Sequence, residues 1–165
     1  IFNLIGPLAN PAGVTRQVIG VYDAKWQRKL AEVAGRLGGE HIWVVHGAGG
    51  LDELSTLGPS TVVEWKSGKI NEFSIAPQEL GLKIANPDDL LGGDAHTNAT
   101  ALVSILKGEK NAYADITALN AAAAILIGGK ADNLREAFGV AMQILNSGQA
   151  YTKLQDWIAF GVTSK

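Results

Sequence analysis

A chain of 165 residues, 47% hydrophobic and 18% charged, has the size of one ordinary domain and enough apolar mass for a real core, which excludes a disordered or fibrous polypeptide. Its net charge of −2, with no dense cluster among the 14 basic residues, argues against a nucleic-acid-binding surface. Without a single cysteine, neither a disulfide framework nor a thiolate zinc site is possible. No apolar stretch reaches the ~18 residues of a membrane span and no signal peptide is visible, so the chain reads as cytoplasmic, with no membrane partner.

Residues 1–5 (Ile-Phe-Asn-Leu-Ile) read as a helix entered midway, with no initiator methionine and no capping residue ahead of it. The expectation is therefore the later part of a longer protein. Two prolines and two glycines in residues 6–13 make a rigid, irregular connector. The β-branched run 17–22 reads as a strand. Asp23 is a good cap for a helix to about Leu37, with Trp26, Leu30, Val33 and Leu37 at helical spacing and Gly38-Gly39 as the stop. A strand at 42–45 follows, so a short crossover predicts parallel pairing with right-handed connection.

Residues 61–66 and 69–75 are β-rich and joined by Ser67-Gly68, a hairpin signal that makes Trp65 and Ile70 cross-strand neighbours. Pro77, Gly81 and Pro87 mark an irregular passage. The remainder reads as helical. Asp94 caps a helix to about Lys107 with Asn98, Leu102 and Ile105 on one face, and a small-sided helix covers 113–127. Asp132 caps a third helix with a buried stripe of Leu134, Phe138, Met142 and Leu145. A final helix over 149–160 faces Leu154, Trp157 and Ile158 inward.

The chemistry-bearing stretch is 43–53, where a buried strand ends at His46, runs into Gly47-Ala48-Gly49-Gly50 and closes on Asp52-Glu53. In an open α/β sheet, ligands bind at the carboxyl ends of strands, which is where this loop belongs. Adjacent carboxylates after a glycine-rich loop can share one Mg2+, which prefers oxygen ligands and keeps several waters. The same pair also fits a helix start, where the dipole favours acidic side chains. His46 suits either a functional role or a backbone hydrogen bond at the strand end. The small-residue loop could cradle an anion through its amides, but it has neither the P-loop Lys-Ser/Thr nor a G-x-G-x-x-G pattern. It is weakly similar to an esterase oxyanion loop, yet no G-x-S-x-G supplies a nucleophile. Asn98 and Asn120 fit either a satisfied buried amide or a ligand contact, the structural role being preferred, and His41 and His96 share no ligand pattern, which leaves a catalytic zinc site unsupported.

Three stretches in order go beyond a generic α/β reading. Phe2-Asn3-Leu4-Ile5-Gly6-Pro7-Leu8-Ala9-Asn10-Pro11 resembles the F-N-x-x-G-P-L-x-N-P segment of the anthranilate phosphoribosyltransferases. Val45-His46-Gly47 through Gly50-Leu51-Asp52-Glu53 is similar to that family's V-H-G-x-x-G-L-D-E loop. Leu119-Asn120-Ala121-Ala122-Ala123 is similar to its L-N-A-A-A helix, with Gly92-Gly93-Asp94 and Asn98-Ala99 in register. The order and spacing agree along essentially the whole chain.

The resemblance implies an α/β domain of the nucleoside phosphorylase/phosphoribosyltransferase type, with a mixed sheet and flanking helices. Residues 1–13 would be the hinge and end of a small helical domain, and 14–165 the C-terminal part of the large domain. It implies transfer of phosphoribose from phosphoribosyl pyrophosphate to the amine of anthranilate, in tryptophan biosynthesis, with Mg2+ as cofactor and a homodimer at full length. Carried over, Asp52 and Glu53 would bind Mg2+, and Gly6 and Pro7 would line the anthranilate path. No covalent nucleophile is needed. Two parts of the family pattern are missing: the G-T-G-G-D phosphate loop and the basic residue that meets the substrate carboxylate ahead of the F-N segment. The expectation is thus a polypeptide inactive by itself, with an unpaired sheet edge that promotes self-association. A pyrimidine-nucleoside phosphorylase relative and a non-catalytic, nucleic-acid-binding transferase-like protein are the alternatives. The G-P-L-x-N-P and L-D-E segments disfavour the first, the intact acidic pair and negative charge the second.

Overall fold

Four runs rich in β-branched and aromatic residues, separated by turn-forming and helix-forming stretches, pair into one sheet. The computed structural model describes residues 2–163. In chain order the elements are α1 (Phe2–Ile5), β1 (Arg16–Gly20), α2 (Gln27–Arg36), β2 (His41–His46), β3 (Ser60–Lys66) and β4 (Lys69–Ile75). Four helices follow among the described residues: α3 (Ala95–Leu106), α4 (Ala112–Ile127), α5 (Leu134–Asn146) and α6 (Gln149–Thr163). The sheet order is β1-β2-β3-β4. The crossover through α2 makes β1 and β2 parallel, and the other two pairings are antiparallel. This is the mixed sheet with flanking helices expected. Of the helix expected over residues 1–5, Ile1 lies outside the described residues.

The period of two splits each strand between two apolar layers. Ile19, Val21, Ile42, Val44 and Val63 pack against Leu30, Ala31 and Ala34 of α2. Trp43, Val45, Val62 and Ile75 pack on the other face against Leu119, Ala123 and Ile127 of α4. Each fully buried Val, Leu or Ile contributes ~1.5–3 kcal/mol, so β2, buried over its first five residues, is the strand on which the domain depends most. Ala118, Ala122 and Ala123 are fully buried, and their small side chains let α4 lie close to the sheet and to α5.

The hairpin forms as its turn residues dictate. Ser67 and Gly68 both have positive φ, and Trp65 pairs with Ile70 across the strands. The Trp65 indole N–H donates to the Gly39 carbonyl at 3.0 Å.

Five expectations about helices are corrected. The buried face of α2 is Gln27, Leu30, Ala31 and Ala34, while Val33 and Leu37 are exposed. Asp23 caps a short 3-10 turn rather than α2 itself, and this turn sets the phase of the helix that follows. The cap of α5 is Asn133, not Asp132: its side chain accepts from the Glu136 amide at 2.9 Å, and the Glu136 carboxylate accepts from the Asp132 amide. In α6, Trp157 is 73% exposed and Ile158 is exposed as well, because α6 packs along α3 and α5 and lies on neither face of the sheet. Similarly, α3 buries only Ile105, leaving Leu102 and Asn98 exposed.

Candidate functional site

The site is built where β1 and β2 leave the core side by side. The parallel pairing continues one residue past β1, with the Val21 amide donating to the Val45 carbonyl at 3.0 Å. His46 Nδ1 donates to the Val21 carbonyl at 2.8 Å, so the imidazole ties the exit of β1 to the end of β2. This is the backbone-bonded role that the sequence left open for it.

The loop then closes on itself. The Gly47 amide donates to the Leu51 carbonyl at 2.8 Å and the Gly50 amide to the Gly47 carbonyl at 3.2 Å. Both amides are thereby spent within the loop, which weakens it as a phosphate cradle. Gly49 and Gly50 have φ of +81° and +78°, a region that only glycine enters at little cost.

Asp52 and Glu53 sit on two further glycines. A Cβ on Gly20 would lie 1.6 Å from the Asp52 carbonyl oxygen, and one on Gly47 would lie 2.3 Å from the Glu53 carbonyl oxygen. Only hydrogen fits at either place. Gly20 belongs to β1 and Gly47 follows β2, so the backbone of the acid pair is seated directly on the ends of the two parallel strands. Immediately beyond, Leu54 is fully buried in the α4-side core and pins the chain there.

Asn120 of α4 holds the same segment from the other side. Its Oδ1 accepts from the Leu54 amide at 2.9 Å, and its Nδ2 donates to the Leu54 carbonyl at 2.8 Å and to Glu53 Oε2 at 3.1 Å. Asn120 is therefore a satisfied amide, as expected, and also a contact of the acid pair. Gly20 was not singled out from the sequence, although a lone glycine in a β-branched strand is the signal for close backbone approach.

Burial pushes the Glu53 carboxyl above the usual glutamate range, and the neighbouring negative charge of Asp52 adds in the same direction. Both side chains still reach solvent, and among the described residues the Asp52 carboxylate has no hydrogen-bond or ion-pair partner. Among the described residues no cluster of three or more His, Asp or Glu side chains could hold a metal. The donor set is thus two accessible carboxylates with open positions around them.

Gly6 and Pro7 lie in a 3-10 turn, Gly6–Ala9. Leu4 and Leu8 on either side of them pack on the α2-side cluster, whereas the Asp52 backbone lies over β1 on its α4-facing side. The two predicted groups are consequently on opposite faces of the sheet and are not brought into contact.

A second polar cluster occupies the opposite end of β2. His41 is buried, and its Nε2 donates to Glu64 Oε1 at 2.8 Å, which also accepts from the Trp43 indole at 2.9 Å. Burial raises the Glu64 carboxyl, but the hydrogen bonds from Trp43 and His41 and the charges of His41 and Lys66 outweigh it and hold the group below its usual value. This cluster joins β2 to β3.

A family model described as the glycosyl transferase family, a/b domain, matches residues 1–151. The chain is similar to the anthranilate phosphoribosyltransferase of Paramagnetospirillum magneticum, 55% identical over 96% of this chain and 46% of the relative. It is 50% identical to that of Rhodopseudomonas palustris strain BisB18, over 96% of this chain and 47% of the relative. The chain thus spans about half the length of the curated relatives it matches. Among solved structures it resembles the Thermus thermophilus enzyme of the same name, with a TM-score of 0.87 and 41% identity over 96% of this chain and 47% of the other. It also resembles the Saccharomyces cerevisiae enzyme in complex with phosphoribosyl pyrophosphate and Mg, with a TM-score of 0.87 and 27% identity over 99% of this chain and 47% of the other.

Proposed function

The chain belongs to the glycosyl transferase family whose α/β domain it matches, and from that premise we propose that it is the later portion of an anthranilate phosphoribosyltransferase. In this reading residues 1–13 form the hinge and end of a small helical domain, and residues 14–165 the C-terminal part of the α/β domain. The whole enzyme would transfer phosphoribose from phosphoribosyl pyrophosphate to the amine of anthranilate, releasing pyrophosphate in the cytoplasm.

Asp52 and Glu53 would hold Mg2+. The pair offers only oxygen donors, is open to water, and consists of two like charges whose mutual repulsion a cation relieves. Bound there, the ion would supply charge neutralisation for the departing pyrophosphate. The chain's own contribution is placement. Gly20 and Gly47 fix the backbone of the acid pair, and Asn120 fixes Glu53 from α4. Gly6 and Pro7, in the 3-10 turn that follows α1, would line the anthranilate path in the whole enzyme. No residue forms a covalent intermediate, so catalysis rests on orienting the amine toward the reacting carbon.

The observation that carries this reading is the acid pair itself: locked in backbone, exposed in side chain, at the carboxyl edge of a parallel strand pair. Anthranilate fluorescence, followed with phosphoribosyl pyrophosphate and Mg2+, tests it. The chain alone is expected to give no turnover. Mixed with a polypeptide covering the part of the Paramagnetospirillum enzyme that this chain does not match, it is expected to restore turnover, and Asp52→Asn to reduce that by ~100-fold. Turnover by the chain alone, or restored turnover indifferent to Asp52→Asn, would overturn the reading.

A further inference from the structure

Asn120 lies 66 residues beyond Leu54 in the chain, yet its side chain makes four hydrogen bonds that converge on the acidic loop and on its own helix. The Leu54 amide is a donor, so the oxygen of Asn120 must face it, and this removes any freedom to flip the amide. Its Nδ2 is thereby turned toward three acceptors: the Leu54 carbonyl at 2.8 Å, the Ile116 carbonyl at 3.0 Å and Glu53 Oε2 at 3.1 Å. Two protons serve three acceptors. The two carbonyls belong to fixed backbone, so the carboxylate is the partner that adjusts its orientation to the amide.

We infer that Asn120 is a positioning residue of the acidic site: it holds Glu53 Oε2, which leaves Glu53 Oε1 as the oxygen open to a divalent cation. The inference rests on the reading of Asp52 and Glu53 as metal ligands and adds how one of them is aimed. A carboxylate with one oxygen bonded to protein binds through the other, and single-oxygen ligation suits the strict octahedral demand of Mg2+. The alternative role for Asn120 is purely structural, joining Leu54 to α4 with no effect on the cation.

The two roles separate in the spectrum of the 15N-labelled chain titrated with MgCl2. The expected result is that the Asn120 side-chain amide shifts with the same Mg2+ midpoint as the backbone amides of Asp52 and Glu53. In Glu53→Gln, which keeps an acceptor for Asn120, that response is lost while the Leu54 amide keeps its position. If it folds, Asn120→Ala is expected to raise the midpoint roughly tenfold, the scale of one hydrogen bond to a charged group. Loop amides that move while the Asn120 side chain stays still would overturn the positioning role and leave the metal reading standing. No movement of Asp52 or Glu53 into the millimolar range would overturn the metal reading, and the role of Asn120 with it.

Discussion

Replacing Gly20 with alanine tests whether the acid pair is seated on the strand ends. The added Cβ would lie 1.6 Å from the Asp52 carbonyl oxygen and 2.6 Å from its carbonyl carbon. Both obstacles are backbone, so no side-chain rotation relieves the overlap, and the loop must retreat by more than an ångström to reach ordinary contact. Leu54 in the core and Asn120 on α4 both resist that movement. Overpacking of this kind costs ~1–3 kcal/mol; the immovable partner places Gly20→Ala near the upper end. For a chain of this length that is a fall in Tm of roughly 6–12 °C, read by circular dichroism, with the largest 15N shifts at Asp52, Glu53 and Leu54. Gly139→Ala is the control. Gly139 is an exposed position inside α5 with no heavy atom within 4 Å of a new Cβ, so alanine there should stabilise by ~0.5–1 kcal/mol. A Gly20→Ala variant with an unchanged Tm and unmoved loop amides would refute the reasoning.

Two further predictions concern charge. Because the folded Glu53 carboxyl sits above its ordinary value, its ionised form is held at a cost at neutral pH, and Glu53→Gln should raise Tm there. That gain should disappear as pH falls below the ordinary glutamate value, where the wild-type carboxyl is protonated both folded and unfolded; a gain that persisted in acid would refute a charge origin. Glu64 has the opposite sign. Its carboxyl is held below the ordinary value, so it adds stability above that value and loses it as pH falls through the lowered one. Glu64→Gln should therefore lower stability at neutral pH by about 1–2 kcal/mol, the scale of hydrogen bonds to a charged group, and urea titrations at neutral and acidic pH should show the difference closing in acid.

Most of the secondary structure was legible because its signals are local. The β-branched run before Asp23, the glycines after α2, and Ser67-Gly68 between two strands each specify conformation within a few residues, and the structure follows them. Inward and outward faces were less legible. The stripe assigned to α6 has the right spacing, yet Trp157 faces outward because a helical period identifies an apolar face without naming what covers it. Asp132 and Asn133 are both good caps by type, and the backbone turn, not composition, chose Asn133.

For the site, the sequence alone placed Asp52 and Glu53 after a strand and a glycine-rich loop, and with them the ordered motifs that mark the family. Those are properties of consecutive residues. The tertiary structure decided what holds the pair: the Asp52 backbone resting on Gly20, the Glu53 backbone on Gly47, and Asn120 reaching across from α4 to Glu53 and Leu54. It likewise decided that His41 serves Glu64 at the far end of the sheet. Such contacts depend on which backbones approach within hydrogen-bond or van der Waals distance once two faces of a sheet are packed, and distant residues meet there with no periodicity in the chain to announce it.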